Sequence, residues 1–408
     1  MSSSCRFCSA PLDTVFADLG MSPLANSFLV PEQANAMEPF YPLRALACER
    51  CRLVQLEEFE APQHIFGDYA YFSSYSTSWL EHSRRFVDEV VQRFGLGEQS
   101  HVVELGSNDG YLLQFLVERG VRVLGIEPAA NVARVALQKG IPTRVEFFGV
   151  QTARSLSVDS QADLVIGNNV LAHVPDLNDF VEGIRVLLKP GGQITMELPH
   201  LVRLVEDHQW DTIYHEHFSY FSFTTATEVF AAHGLRLFDV EELPTHGGSL
   251  RIFGCHADDP RPQESRASAL LAREDAEGYN ESELYTRFGP RVAQDKRQVL
   301  ELLVSLKREG LRIAGYGAPA KGNTLLNYCG IRTDFLDYTC DLNPHKQDHL
   351  LPGTHIPIRS PETLRSDRPD VVLILPWNLR DEIMEQLEFI REWGGRFAAR
   401  APDLRLFP

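Results

Sequence analysis

The chain has 408 residues, too many for one ordinary hydrophobic core, so we expect two or three domains. Its 39 lysines and arginines face 56 aspartates and glutamates, and the resulting formal charge of −17 disfavours general binding to DNA or RNA. No apolar run reaches the roughly 18 residues of a membrane span, and the N-terminus lacks the basic and apolar segments of a signal peptide. We therefore expect a cytoplasmic protein with no nucleic-acid or membrane partner.

Four of the seven cysteines lie in two close pairs near the N-terminus. Cys5 and Cys8 form one C-x2-C pair, and Cys48 and Cys51 form the other. Each pair can place two thiolates on one side of a metal ion, and two pairs complete a tetrahedron. In a chain without an export signal this spacing predicts a structural zinc site, with iron as the alternative. The remaining cysteines lack such spacing and are predicted to be buried thiols.

Short strands and turns are predicted for the first sixty residues, and an amphipathic helix for residues 79–94. Beyond this helix, short apolar runs alternate with longer amphipathic segments, as is typical of a parallel sheet wrapped by helices. Strands are predicted at residues 101–105, 121–126, 164–167 and 193–198, and helices at residues 111–119 and 131–139.

A polar, proline-containing stretch at about residues 258–280 indicates a domain boundary. After a predicted helix at residues 292–307, strands are expected near residues 311–315, 338–341 and 371–375. We therefore predict an α/β protein with a small zinc-binding domain (1–64), a parallel-sheet core (65–257) and a smaller C-terminal α/β domain (258–408).

The segment E-L-G-S-N-D-G, residues 104–110, follows a predicted strand and opens a helix. Glycines at such a turn let backbone amides approach a ligand, and the helix N-terminus favours a carboxylate. The spacing differs from the dinucleotide fingerprint G-x-G-x-x-G. Glu127 follows the next strand, where a carboxylate can accept hydrogen bonds from a ribose diol.

These features together resemble the first motif and the acidic ribose-binding residue of class I methyltransferases, whose cofactor is S-adenosylmethionine. The resemblance implies a Rossmann-like core in which G-N-N-V, residues 167–170, lies beside the methionine moiety. Phe147 and Phe148 are candidates for the adenine region, with a role as core aromatics as the alternative. The implied cofactor-binding residues are Glu104, Gly106, Ser107, Asn108, Gly110, Glu127, Asn168 and Asn169.

Titratable residues are concentrated in two segments, Y-H-E-H at residues 214–217 and N-V-L-A-H at residues 169–173. The first is not the H-E-x-x-H of zinc proteases, because histidines two apart do not share one face of a helix. Methyl transfer to carbon requires a base that removes a proton beside a carbonyl. Histidine, with an ordinary pKa of about 6.5, suits that task, and tyrosines can stabilise the enolate oxygen.

The wider pattern resembles the sugar C-methyltransferases over essentially the whole chain. It consists of the four-cysteine N-terminus, the methyltransferase core, Y-H-E-H, and G-Y-G-A-P-A-K-G-N at residues 315–323. That family methylates nucleotide-linked 4-keto-6-deoxysugars, typically at C-3, so the resemblance implies a dTDP-linked or similar keto sugar and an enolate mechanism. The sugar, the nucleotide and the choice of C-3 over C-5 stay open.

The same resemblance implies His217 as the base, with Tyr214 and Glu216 polarising its surroundings and His173 near the sugar carbonyl. A further catalytic tyrosine is expected before the first core strand, where Tyr75 is favoured and Tyr71 is the alternative.

The C-terminal turn can present backbone amides to a diphosphate, and Lys321 adds a positive charge, with a solvated lysine as the alternative. The predicted substrate-binding residues are Tyr316, Lys321, Asn323 and Arg251, and a surface or ion-pairing role stays open for Arg251. Three other functions also remain open: an O- or N-methyltransferase, a nicotinamide-dependent reductase, and a noncatalytic zinc module. A monomer would suffice for the predicted chemistry.

Overall fold

The computed structural model describes residues 4–61, 72–400 and 403–408, which form three sheets. The N-terminal sheet is antiparallel, in the order β1-β2-β3-β9. Three of its strands come from the first part of the chain, whereas β9 follows the Y-H-E-H segment. The strands are β1 (Thr14–Ser22), β2 (Tyr41–Ala47), β3 (Val54–Leu56) and β9 (Ser219–Tyr220).

The central sheet has the order β10-β11-β8-β7-β4-β5-β6. The five strands from β8 to β6 are parallel, and β10 and β11 extend this sheet as antiparallel strands. The order reverses between β4 and β7, and ligands of such sheets bind outside the carboxyl ends of the strands at that point. The strands are β4 (His101–Leu105), β5 (Arg122–Ile126), β6 (Thr143–Arg144), β7 (Ala162–Asn168), β8 (Leu188–Pro199), β10 (Leu235–Leu243) and β11 (Ser249–His256).

Helices cover both faces of the central sheet because successive apolar residues of a strand point to opposite sides. Val102 of β4 lies in one apolar core and Val103 in another. The first core includes residues of helices Thr77–Phe94, Leu113–Val117 and Ala130–Gln138. The second includes residues of Val150–Ser157, Leu177–Leu187, Phe223–Ala232 and Ser265–Ala276. The predicted helix at 79–94 and the strands predicted in this region are confirmed.

The C-terminal sheet has the order β14-β13-β12-β15-β16-β17 and is parallel except for β17. Its order reverses between β12 and β15. The strands are β12 (Ile313–Tyr316), β13 (Thr339–Cys340), β14 (Ile358–Arg359), β15 (Val371–Ile374), β16 (Arg396–Arg400) and β17 (Leu404–Phe407). The helices of this region are Ser282–Arg308, Ala320–Cys329, Thr363–Asp367 and Arg380–Gln386.

The N-terminal and C-terminal sheets share one apolar core. The rings of Phe16 in β1 and Phe288 in helix Ser282–Arg308 stack with their centroids 4.4 Å apart. Within the described ranges the remaining helix is Leu201–Glu206, and the short 3-10 turns are Pro31–Gln33, Ser73–Tyr75, Leu171–His173, Trp210–Thr212, Thr245–Gly247, Trp377–Leu379 and Glu388–Trp393. The mixed α/β class with a Rossmann-like core is therefore confirmed.

Helix Ser265–Ala276 occupies the polar stretch in which the sequence indicated a domain boundary. Its buried Glu274 accepts hydrogen bonds from the backbone amides of Phe223 and Thr224, both at 2.8 Å. This helix is thereby attached to the central part of the molecule. In the three described stretches, no helix has the length and apolar character needed to cross a bilayer.

Candidate active site

A cavity of about 1160 Å³ lies between the central and C-terminal sheets. Gly106 and Asn169, which follow β4 and β7, line one side of it. Pro319 and Pro376, which follow β12 and β15, line the other. The reversal points of two α/β sheets therefore open onto one space, where two ligands can meet.

The loop after β4 adopts a backbone conformation that requires glycine. Gly106 and Gly110 have φ angles of +66° and +77°. A Cβ atom on Gly110 would lie 2.3 Å from Cδ1 of Ile141, so a larger residue would have to displace that side chain as well as adopt a positive φ. Asn108 also has a positive φ, +48°, a region that asparagine tolerates better than most residues. This turn brings the backbone of Gly106 and Asn108 to the cavity surface.

The Glu127 carboxylate is fixed at the cavity wall by two backbone amides. The N–H groups of Asn108 and Ala129 donate to its two oxygens at 2.9 and 2.8 Å. Burial raises the pKa of Glu127, and these hydrogen bonds oppose that shift. Each oxygen retains a lone pair, so the carboxylate can accept hydrogen bonds from a diol.

Asn168 and Asn169 line the cavity at the end of β7. Their Oδ1 atoms are buried and have no hydrogen-bond partner among the described residues, and an ammonium group is a suitable donor for such oxygens. Asn169 is held with φ at 54°, and its Nδ2 lies 3.2 Å from Nε2 of His246. The loop, the carboxylate and these two amides suit the amino-acid and ribose parts of S-adenosylmethionine.

Three of the predicted cofactor residues, Glu104, Ser107 and Gly110, are not among those that line the cavity. Burial raises the pKa of Glu104 well above its ordinary value. Ser107 packs closely against Gly125, and a Cβ atom added to Gly125 would lie 2.4 Å from Oγ of Ser107. Phe147 and Phe148 do line the cavity, beside Glu146.

The Glu127→Ala variant is expected to bind S-adenosylhomocysteine about tenfold to a hundredfold more weakly, because it loses charge-assisted hydrogen bonds to the ribose. Isothermal titration calorimetry measures this loss. The matched control is Glu182→Gln, which removes a carboxylate paired with Arg185 away from the cavity and should leave the affinity unchanged. Equal affinity in the wild type and Glu127→Ala would contradict the assignment.

His217 and Tyr214 form a hydrogen-bonded pair at the cavity wall. The Tyr214 hydroxyl lies 2.7 Å from His217 Nε2, and His217 Nδ1 lies 3.1 Å from the carbonyl oxygen of Thr212. Because a carbonyl only accepts, Nδ1 carries the proton and Nε2 is the acceptor. Burial lowers the pKa of His217 well below its ordinary value, so the imidazole is neutral and able to take a proton.

His173 lies beside this pair, with its ring centroid 4.7 Å from that of His217. His173 Nδ1 donates to the backbone carbonyl of Glu216 at 2.7 Å, and burial lowers the pKa of this histidine to about 4. The structure thus brings together the four predicted residues of the two segments: His173, Tyr214, Glu216 and His217.

The Y-H-E-H segment is held by the N-terminal sheet. Strand β3 pairs with β9, and the Leu56 amide donates to the Phe218 carbonyl at 3.0 Å. His215 Nε2 contacts the Pro42 carbonyl at 3.2 Å. The Glu216 carboxylate, in turn, accepts two contacts from the Asn26 side chain. The position of the Y-H-E-H segment therefore depends on the zinc-binding part of the chain.

Two half-buried lysines also line the cavity. Lys321 Nζ donates to Asn378 Oδ1 at 2.8 Å and lies 4.6 Å from the Trp377 ring centroid. Burial lowers the pKa of Lys321 to about 8. Lys346 Nζ donates to the Ala318 carbonyl at 2.9 Å. These cations provide local positive charge in an acidic protein.

The other predicted substrate residues are placed differently. Tyr316 is buried in the core of the C-terminal sheet, and Asn323 donates to the Ala25 carbonyl at 2.5 Å; neither lines the cavity. Arg251 lines it, but its guanidinium already contacts three carboxylates at 3.3 to 3.6 Å, those of Glu197, Glu241 and Glu89.

Tyr75 is 61% exposed and stacks on His345, with ring centroids 6.4 Å apart. It does not line the cavity, and the alternative, Tyr71, lies outside the described residues. A catalytic role for either tyrosine stays a prediction.

Several residues that line the cavity were not predicted from the sequence. Trp79 and His82 stack 4.9 Å apart, and His82 Nε2 lies 2.8 Å from Glu197 Oε2. Their helical spacing indicated only the buried face of an amphipathic helix. Lys346 lies in a loop without periodicity, and Asn26 in a turn far from any motif, so no signal in the chain marked them.

The four N-terminal cysteines converge as their spacing predicts. Their Sγ atoms all lie within 4.8 Å of one another, and the Cys5–Cys51 and Cys8–Cys48 pairs are each 3.5 Å apart. A tetrahedral zinc site with Zn–S bonds of about 2.3 Å has S–S edges of about 3.8 Å, so the group suits Zn²⁺. Gln55 Nε2 donates to Cys5 Sγ at 3.2 Å, as expected beside a thiolate ligand.

Three family models match along the chain: a zinc binding domain at residues 5–66, a methyltransferase domain at residues 79–240 and a C-methyltransferase C-terminal domain at residues 244–402. The chain is 37% identical over 405 residues to C-methyltransferase NovU from Streptomyces niveus, covering 98% of this chain and 96% of NovU.

Other similarities cover smaller shares of the chain. A ubiquinone biosynthesis O-methyltransferase from Leptothrix cholodnii is 32% identical over 111 residues, covering 26% of this chain and 46% of that protein. Magnesium protoporphyrin IX methyltransferase from Synechocystis, solved with bound S-adenosylmethionine, is 15% identical with a TM-score of 0.33, covering 47% of this chain and 88% of that one.

Proposed function

Because this chain belongs to the S-adenosylmethionine-dependent C-methyltransferases, we propose that it methylates C-3 of a dTDP-linked or similar 4-keto-deoxysugar through an enolate. The observation that carries this proposal is the unprotonated Nε2 of His217 in the same cavity as the cofactor loop. A methyltransferase that acts on oxygen or nitrogen requires mainly alignment, whereas carbon requires such a base.

In the proposed reaction, the 4-keto group acidifies the C-3 proton, and His217 Nε2 removes it. The electrons of the C–H bond form the enolate. The protonated imidazole no longer accepts from Tyr214, so the Tyr214 hydroxyl is able to donate a hydrogen bond to the enolate oxygen. His173 lies beside this pair and is neutral, so it adds no competing positive charge. Bound S-adenosylmethionine would supply the electrophilic methyl group, and the products are the C-3-branched sugar nucleotide, S-adenosylhomocysteine and the proton that His217 took up, which it releases to solvent.

The two half-buried lysines support a nucleotide-linked substrate. Lys321 lies in the first turn of helix Ala320–Cys329, and Lys346 contacts Ala318 in the turn that precedes this helix. Apart from Asp341, 4.0 Å from Lys346, no carboxylate contacts either ammonium group among the described residues. A diphosphate would neutralise both charges and satisfy the helix N-terminus.

The test is a panel of 4-keto sugar nucleotides incubated with enzyme and methyl donor, with products analysed by mass spectrometry and NMR. We expect one methyl group carried by a carbon–carbon bond at the position next to the ketone. A methyl ether or a methylamine as the product would refute carbon transfer and favour an O- or N-methyltransferase. Consumption of NADH with reduction of the ketone would favour the reductase.

A further inference from the structure

One residue of the zinc-binding part reaches the cavity itself. Asn26 lies in the turn after β1, far in sequence from the catalytic segment, and lines the same cavity. Its Nδ2 lies 2.7 and 2.9 Å from the two carboxylate oxygens of Glu216. Asn323, on helix Ala320–Cys329, donates to the carbonyl of the preceding residue, Ala25, and so fixes this turn from the C-terminal side.

The geometry of this contact identifies Glu216 as an acceptor. An amide nitrogen has only donors, and here it faces both carboxylate oxygens, an arrangement that stabilises the ionised carboxylate more than the protonated acid. Each oxygen keeps lone pairs that Asn26 does not use. Because Glu216 is among the residues that line the cavity, a hydroxyl group of a ligand bound there is a suitable donor to these lone pairs.

We propose that Asn26 is a positioning residue for methyl transfer: it orients the Glu216 carboxylate to accept a hydrogen bond from a hydroxyl group of the sugar substrate. This inference rests on the proposed function. The zinc-binding part thus contributes one side chain to substrate orientation, in addition to the strand that holds the catalytic segment.

The groups around Glu216 determine the pH at which its carboxylate ionises. Burial raises the pKa of Glu216 to about 7, and both Asn26 and the charge of Lys346 lower it. His173 contacts the Glu216 carbonyl, and His215 and His217 flank it in the chain. Burial lowers the pKa of all three histidines, so they are neutral where Glu216 titrates. Loss of the Asn26 donors should therefore raise the pH at which the carboxylate forms.

The test compares Asn26→Leu, which removes the donors, with Asn26→Asp, which keeps the size but adds a second carboxylate. At about pH 6.5 we expect kcat/KM for the keto sugar nucleotide to fall about tenfold in Asn26→Leu and further in Asn26→Asp. Both deficits should shrink as the pH rises towards about 8.5, because Glu216 then ionises without help. The KM for S-adenosylmethionine should not change.

The matched control is Glu38→Gln, which also removes a contact of the N-terminal part, to the Gly353 amide and His355, but does not touch the cavity. The kcat/KM of Glu38→Gln relative to that of the wild type should not vary with pH. Wild-type behaviour in both Asn26 variants, or a deficit that is equal at every pH, would overturn the inference and leave Asn26 as a structural tether. Failure of the wild type to methylate carbon would instead refute the proposed function.

Discussion

The His217→Asn variant is expected to lose about a thousandfold in kcat while binding S-adenosylhomocysteine as tightly as the wild type, a loss typical of removing a general base. An asparagine amide can still donate to the Thr212 carbonyl, as His217 Nδ1 does, so the loop is preserved. What disappears is the basic Nε2, which lies 2.7 Å from the Tyr214 hydroxyl. Steady-state kinetics with the keto sugar nucleotide measures the loss, and calorimetry measures cofactor binding.

The control for this variant is His233→Asn. His233 contacts Asn178 at 2.9 Å and does not line the cavity, so its replacement should leave kcat unchanged. If His217→Asn kept full methyl transfer, His217 would not be the base. If it lost cofactor binding together with turnover, the loss would report a distorted cavity instead of missing proton transfer.

Removal of the zinc ion is expected to abolish activity although the metal site takes no part in the chemistry. In zinc-finger peptides, metal binding contributes about 10–16 kcal/mol, which is largely free energy of folding. Here the N-terminal sheet holds β9 through β3, and Asn26 holds Glu216, so unfolding of this part would release the catalytic segment. Cys48→Ser should therefore lose zinc, melt at lower temperature and lose at least about a hundredfold in kcat/KM.

Cys255→Ala is the control for the metal site, because Cys255 is a buried thiol packed with Phe238 and Phe253 and is not part of the four-cysteine group. It should keep its zinc and its activity. Metal analysis, thermal denaturation and kinetics on the same preparations provide the comparison. A zinc-free Cys48→Ser protein with full activity would show that the catalytic segment holds its position without the N-terminal sheet.

The features that the sequence predicted are those encoded locally. Apolar runs mark β4 and β5, glycines mark the turn at Gly106 and Gly110, and pair spacing marks the four cysteines. Each depends on residues close together in the chain, where periodicity, backbone conformation and ligand spacing can be deduced directly. These features suffice to predict the α/β class, the zinc site and the cofactor loop from the sequence.

The features that the sequence did not reveal depend on contacts between distant segments. Strand β9 has two residues, too few for a pattern, and exists because β3 pairs with it. Asn26 and Lys346 reach the cavity from turns without periodicity, and His82 lies on a helix whose apolar spacing indicated only core packing. Predicting these residues would require the tertiary arrangement itself.

The most direct test of the central claim is hydrogen exchange at C-3 in heavy water. The enzyme is incubated with a 4-keto sugar nucleotide and S-adenosylhomocysteine, so that the base can act but no methyl group can be transferred. We predict that NMR will show loss of the C-3 proton signal with the wild type and its retention with His217→Asn. Retention of the C-3 proton with a wild-type enzyme that methylates the same substrate would contradict a base-generated enolate at that carbon.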